Sequence, residues 1–138
     1  MQKIKINDIQ PYALLGELYI KQGKFAEAID KLQGALNINP QDMFVNYLMG
    51  LALDGAGKKT QAISFYQKLV DLGNQEPGLH NRLGSLYLEA GSYIQAYQYL
   101  SPLVQAIEDD AKLHAQLALI NYKLGYSRWP VVSEFFGP

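Results

Sequence analysis

The 138 residues carry 12 basic and 13 acidic side chains, a net charge of −1, and no cysteine. Without thiols there is no disulfide, no cysteine nucleophile and no thiolate metal site, and with no basic run beyond Lys58-Lys59 there is no stripe to track a phosphate backbone. Residues 1–8 hold Lys and Ile in alternation without an apolar centre, so neither a signal peptide nor a spanning segment is read from the sequence; the expectations are a cytoplasmic chain with no nucleic-acid and no membrane partner.

Apolar residues recur at helical spacing along most of the chain. The pattern predicts helices over 9–22, 25–38, 42–56, 59–72, 77–90, 93–106 and 111–124. Asp8 and Asp42 stand where N-caps accept the first free amides. Gly23, Gly57 and Gly91 follow the first helix of each pair, where a left-handed C-cap needs no Cβ. Pro77 fits a first helical turn. Pro102 lies inside the 93–106 segment; it lacks an amide donor and opposes the Gln98 carbonyl, at a cost of about 3 kcal/mol in a regular helix, so a kink or a restart at Ser101-Pro102 is expected. Asp109-Asp110 opens the last helix, where negative charge is favoured.

A strict period underlies these elements. Gly16, Gly50 and Gly84 are 34 residues apart, as are Gly23, Gly57, Gly91 and Gly125. Such a period marks stacked helix pairs rather than one closed core. The units read Tyr12-x-x-Leu15-Gly16-x-x-Tyr19 with Ala28-x-x-x-Leu32 and Pro40; Asn46-x-x-Met49-Gly50-x-x-Leu53 with Ala62-x-x-x-Tyr66; and His80-x-x-Leu83-Gly84-x-x-Tyr87 with Ala96-x-x-x-Leu100. This resembles the tetratricopeptide repeat (TPR) family, with Tyr12, Asn46 and His80 in the aromatic slot and the closing proline present only as Pro40. A glycine inside a helix costs about 1 kcal/mol relative to Ala, which makes sense where a neighbouring helix passes close, with Ala28, Ala62 and Ala96 as small partners.

The resemblance implies an all-α, right-handed α-solenoid of three helix pairs plus one further helix. The domain runs over 9–125, in repeats 9–42, 43–76 and 77–110 and a half repeat 111–125. Residues 126–138 form a tail rich in large apolar side chains, among them Trp129, Val132 and Phe136. The tail is expected to pack on the solenoid end, over the flank of Leu117, Ile120 and Leu124, or else to dock on another molecule.

No nucleophile elbow, phosphate loop or paired-carboxylate motif is present, so no catalytic residue, metal ligand or cofactor is assigned. His80 and His114 share one repeat phase and are expected to pack against the adjoining helix. The resemblance places the first helix of each repeat along a concave groove. Helical spacing then selects Phe44, Tyr47 and Leu51, then Asn81, Arg82 and Ser85, and finally Leu119 and Tyr122 as groove residues. Exposed aromatic and aliphatic side chains favour a protein or peptide partner. One TPR subclass clamps C-terminal carboxylates; its slots hold Ala13, Glu17, Leu48, Gly78 and Arg82 here, and Glu17 repels such a ligand. The leading expectation is a non-enzymatic adaptor that binds a peptide or helix. The rivals are a bacterial secretion or assembly chaperone and a module that self-associates through its ends.

Overall fold

A computed structural model describes residues 8–106 and 110–125. Their regular structure is entirely helical, without a strand, and the chain divides into two compact units, residues 1–74 and 75–138. The first unit holds α1 (Gln10–Lys21), α2 (Phe25–Ile38), α3 (Met43–Gly55) and α4 (Lys59–Asp71). The second holds α5 (Pro77–Glu89), α6 (Tyr93–Leu100), the single turn α7 (Leu103–Ala106) and α8 (Ala111–Lys123).

Carboxylates start three of these helices. Asp8 Oδ1 accepts the Gln10 amide at 3.0 Å, Asp42 Oδ1 the Val45 amide at 2.9 Å, and Asp110 Oδ1 the Leu113 amide at 3.1 Å. Each satisfies a donor that the helix leaves unpaired. The ends are as regular. Gly23, Gly57, Gly91 and Gly125 sit at φ 74°, 80°, 80° and 94°. Beyond the first three of them, the amides of Lys24, Lys58 and Ser92 reach back to the carbonyls of Tyr19, Leu53 and Tyr87 at 2.8, 2.8 and 2.9 Å. These six-to-one bonds reverse the chain within three residues and lay the second helix of each pair on the first.

In the first unit α1 packs on α2 and α3 on α4, and α3 also lies against α1 and α2. In the second, α5 packs on α6, and α8 lies against both. The helical glycines make room for a side chain rather than for a passing backbone. A Cβ on Gly16, Gly50 or Gly84 would fall 2.5 Å from Leu32 Cδ2, 2.5 Å from Tyr66 Cε1 or 2.6 Å from Leu100 Cδ2. The small–large pairing therefore links each glycine to the residue 16 positions on, while Ala28, Ala62 and Ala96 are fully buried beside it.

The helical segment over 93–106 is interrupted where the sequence predicts a kink or restart, at Ser101-Pro102. α6 ends at Leu100, and the Val104 amide then bonds the Ser101 carbonyl at 3.3 Å as α7 begins. Pro102 explains the break, because its nitrogen has no proton for the Gln98 carbonyl. A difference from expectation concerns the last helix. Ile120 is buried, and Leu117 and Leu124 pack against the cluster of Ala96, Leu100, Leu103 and Leu113. That flank therefore has partners in α6 and α7. The tail over 126–138 lies outside the described residues.

Candidate functional site

The α3 helix has two unlike faces. Val45, Leu48, Met49 and Ala52 are buried, on the side that α1 and α2 cover. Phe44, Tyr47 and Leu51, at i, i+3 and i+7, share another stripe. Phe44 is 47% exposed and Tyr47 41%, and Leu51 is half-buried. Two large rings thus stand in solvent one turn apart, with Met43 also exposed beside them. On α1 the same phase carries Gln10, Ala13 and Glu17, of which Ala13 is buried and Glu17 half-buried; α1 offers no aromatic anchor there.

The position of the α3 stripe is set by Asn46, a residue to which the sequence reading assigned only an aromatic slot. Its side chain is fully buried. Its Nδ2 donates to the Pro40 carbonyl at 2.9 Å and to the Asp42 carbonyl at 2.7 Å, tying the inter-repeat turn to the first turn of α3. Its Oδ1 is buried without a hydrogen-bond partner. Together with the Asp42 cap, this amide fixes the helix start that presents Phe44. The signal in the sequence is a polar amide in a slot that otherwise takes a ring, six residues after Pro40.

The remaining residues expected to line a groove belong to the second unit. On α5, Asn81 and Arg82 are half-buried and Ser85 is buried. Ser85 is not an open groove residue, since its Oγ accepts a hydrogen bond from Gln116 Nε2 of α8 at 2.9 Å. On α8, Leu119 and Tyr122 are exposed. The structure thus brings Phe44, Tyr47 and Leu51 together on α3, and it brings α5 and α8 together through Ser85 and Gln116. The histidines part ways. His80 meets Tyr99 edge-on, with centroids 5.4 Å apart and planes at 86°, and Tyr99 stacks on Tyr87 at 5.9 Å. His114 is exposed, against the packing expected of it. Among the described residues no cluster of His, Cys, Asp or Glu could hold a metal ion, and no helix is long and apolar enough to cross a membrane.

Antiparallel helix pairs on a 34-residue period, with a glycine notch filled from the second helix, define a helical repeat protein of the class that scaffolds protein–protein contacts. The chain carries tetratricopeptide repeats: residues 8–54 match the family described as "TPR repeat" and residues 45–72 that described as "Tetratricopeptide repeat". No curated protein matches it in sequence. Solved structures share the fold. The TPR protein YrrB superposes with a TM-score of 0.75 at 20% identity, covering 93% of this chain and 69% of its own. MamA (41-end) from Desulfovibrio magneticus RS-1 gives 0.74 at 23%, covering 85% and 66%. A tetratricopeptide repeat protein from Parabacteroides merdae gives 0.70 at 19%, covering 85% and 46%. At these identities the likeness speaks for the fold alone.

Proposed function

We propose that the chain is an adaptor whose α3 face binds a peptide or helix of a partner protein, with Phe44 and Tyr47 as anchors and Leu51 at the floor between helices. The observation that carries this reading is the exposure of two aromatic rings one turn apart on a helix whose opposite face is fully committed to the stack. Rings held by a capped, packed helix lose little conformational freedom on binding, and aromatic anchors of this kind dominate interface energies. The structure of YrrB is described as that of a TPR protein with an unusual peptide-binding site, which supports peptide capture as a use of this fold.

The test is selection of 12-residue peptides from a random display library against the chain. Phe44→Ala/Tyr47→Ala should weaken the selected peptides by about 30-fold, or roughly 2 kcal/mol, with an unchanged melting curve. Peptides that bind the double variant equally well, or a library that yields none, would remove the α3 anchor.

A further inference from the structure

Two helices, α1 in the first unit and α8 in the second, each expose large apolar side chains. Leu14, Leu15 and Leu18 on α1 are 58%, 38% and 49% exposed, whereas their equivalents one 34-residue step on, Leu48, Met49 and Ala52 on α3, are 3%, 2% and 0% exposed. The α3 side chains are covered by the preceding helix pair. On α1 the same apolar face is bare, and three adjacent leucines form a surface that a soluble helix does not ordinarily display.

The second unit shows one contact made at the position of Leu14, while Leu117 and Ile120, the equivalents of Leu15 and Leu18, pack in the cluster of Ala96, Leu100 and Leu103. Ser85 of α5 bonds Gln116 of α8 at 2.9 Å. Gln116 stands three repeat steps after Leu14, and Leu119 stands one step after Ser85. The Ser85–Gln116 contact, carried forward by one step, therefore pairs Leu119 with the position of Leu14. Leu119 is 44% exposed and its neighbour Tyr122 63%. A polar pair inside the chain becomes a leucine pair between its ends.

We propose that a second copy of this chain covers the α1 face, with α8 of one molecule seated on α1 of the next so that Leu119 and Tyr122 lie against Leu14, Leu15 and Leu18. The contact joins two different surfaces, so each molecule keeps a free half and association continues head to tail until it closes or stops. Such a junction rests on apolar burial and responds weakly to salt. This inference stands apart from the α3 reading: it assigns Leu119 and Tyr122 to the end face, and Phe44→Ala/Tyr47→Ala leaves it untouched.

Sedimentation of the full 138-residue chain over a wide concentration range tests it. The average mass should rise past that of a dimer. Leu14→Asp and Leu119→Asp should each weaken self-association at least ten-fold, because each lacks one half of the junction. An equimolar mixture of the two should form a one-to-one dimer and stop there, since only one productive junction remains. Leu18→Asp with Tyr122→Asp is a second pair, and circular dichroism checks that all four variants fold. A wild-type chain that stays monomeric overturns the proposal, meaning that another occupant covers α1. So does a Leu119→Asp variant that associates as the wild type does, which is the signature of α1 pairing with α1, and so does a mixture that fails to pair.

Discussion

In the first unit Tyr66 fills the notch over Gly50, and in the second Leu100 fills the equivalent notch over Gly84, but the helices that carry these side chains end differently. α4 runs for 13 residues, whereas α6 stops after 8. One repeat step separates Lys68 of α4 from Pro102. Lys68 continues its helix and donates through Nζ to the Pro40 carbonyl, while Pro102 ends regular helix in the second unit. The glycine and the side chain 16 residues on are thus kept in both units, and the length of the second helix beyond that contact is not. What the stack requires is the small–large pair; the last turn is open to change once Leu100 is in place. The two family matches, over 8–54 and 45–72, both fall in the more regular first unit.

The sharpest way to break this comparison is to fill both notches. Gly50→Leu displaces the Tyr66 ring, which is almost fully buried in the middle of a complete helix. Overpacking costs about 1–3 kcal/mol and sometimes more, and this site belongs at or above the top of that range. Gly84→Leu meets Leu100 at the last residue of α6, beside the Pro102 break, where the chain has room to give. It should cost less, about 1–2 kcal/mol. Urea unfolding followed by circular dichroism measures both, and equal losses would show that the shorter helix yields no more than the longer one.

The aromatic slot gives the next contrast. Asn46 in the first unit is buried and bonds two backbone carbonyls, so Asn46→Ala should destabilise by about 1–3 kcal/mol through the loss of both side-chain hydrogen bonds, while Lys68 Nζ and the backbone amide at position 46 still reach the Pro40 and Asp42 carbonyls. His80 in the second unit contributes an edge-on contact with Tyr99, and His80→Ala should cost about 0.5–1.5 kcal/mol. Peptide binding supplies an independent readout: Asn46→Ala should also weaken ligands that depend on Phe44, because the start of α3 is loosened. If binding is untouched, the cap of Asp42 alone positions that ring.

Pro102→Ala asks whether the proline imposes the break or merely occupies it. With an amide restored, α6 and α7 should join, raising helicity and adding about 1 kcal/mol of stability, less than the roughly 3 kcal/mol of a proline in a regular helix because the chain has already adapted to it. Unchanged helicity would assign the break to the packing of Leu103 in the α8 cluster.

The fold was legible because its constraints are local and repeat. A glycine at positive φ, a carboxylate before a helix and a proline within one each act over a single turn, and the 34-residue period shows which instances belong together. The surface was legible only where one helix decides it. Phe44 and Tyr47 follow from the spacing of α3 alone. Ser85 could not be read in this way, since its burial depends on Gln116 reaching across from a helix 31 residues away. Nor could the role of Asn46, which folds back on the turn before it. Leu14, Leu15 and Leu18 look like ordinary core leucines in the sequence, because their equivalents on α3 are core residues; only exposure separates them.

The smallest effect lies at the helix starts. Asp8, Asp42, Glu76 and Asp110 stand at successive 34-residue steps. The three aspartates each accept an amide hydrogen bond at the start of a helix, whereas Glu76 forms no side-chain cap on α5. The backbone is not the cause, for Glu76 has φ −63° and ψ 126° against −66° and 122° at Asp42. The side chains differ by one methylene, and the Leu79 amide is the donor equivalent to Val45. Glu76→Asp should close that bond and stabilise α5 by about 0.5–1 kcal/mol, slowing hydrogen exchange at the Leu79 amide by a few-fold while the α3 amides are unaffected. Unchanged exchange at Leu79 would show that the interaction Glu76 already makes is worth as much as the cap that the aspartates supply elsewhere.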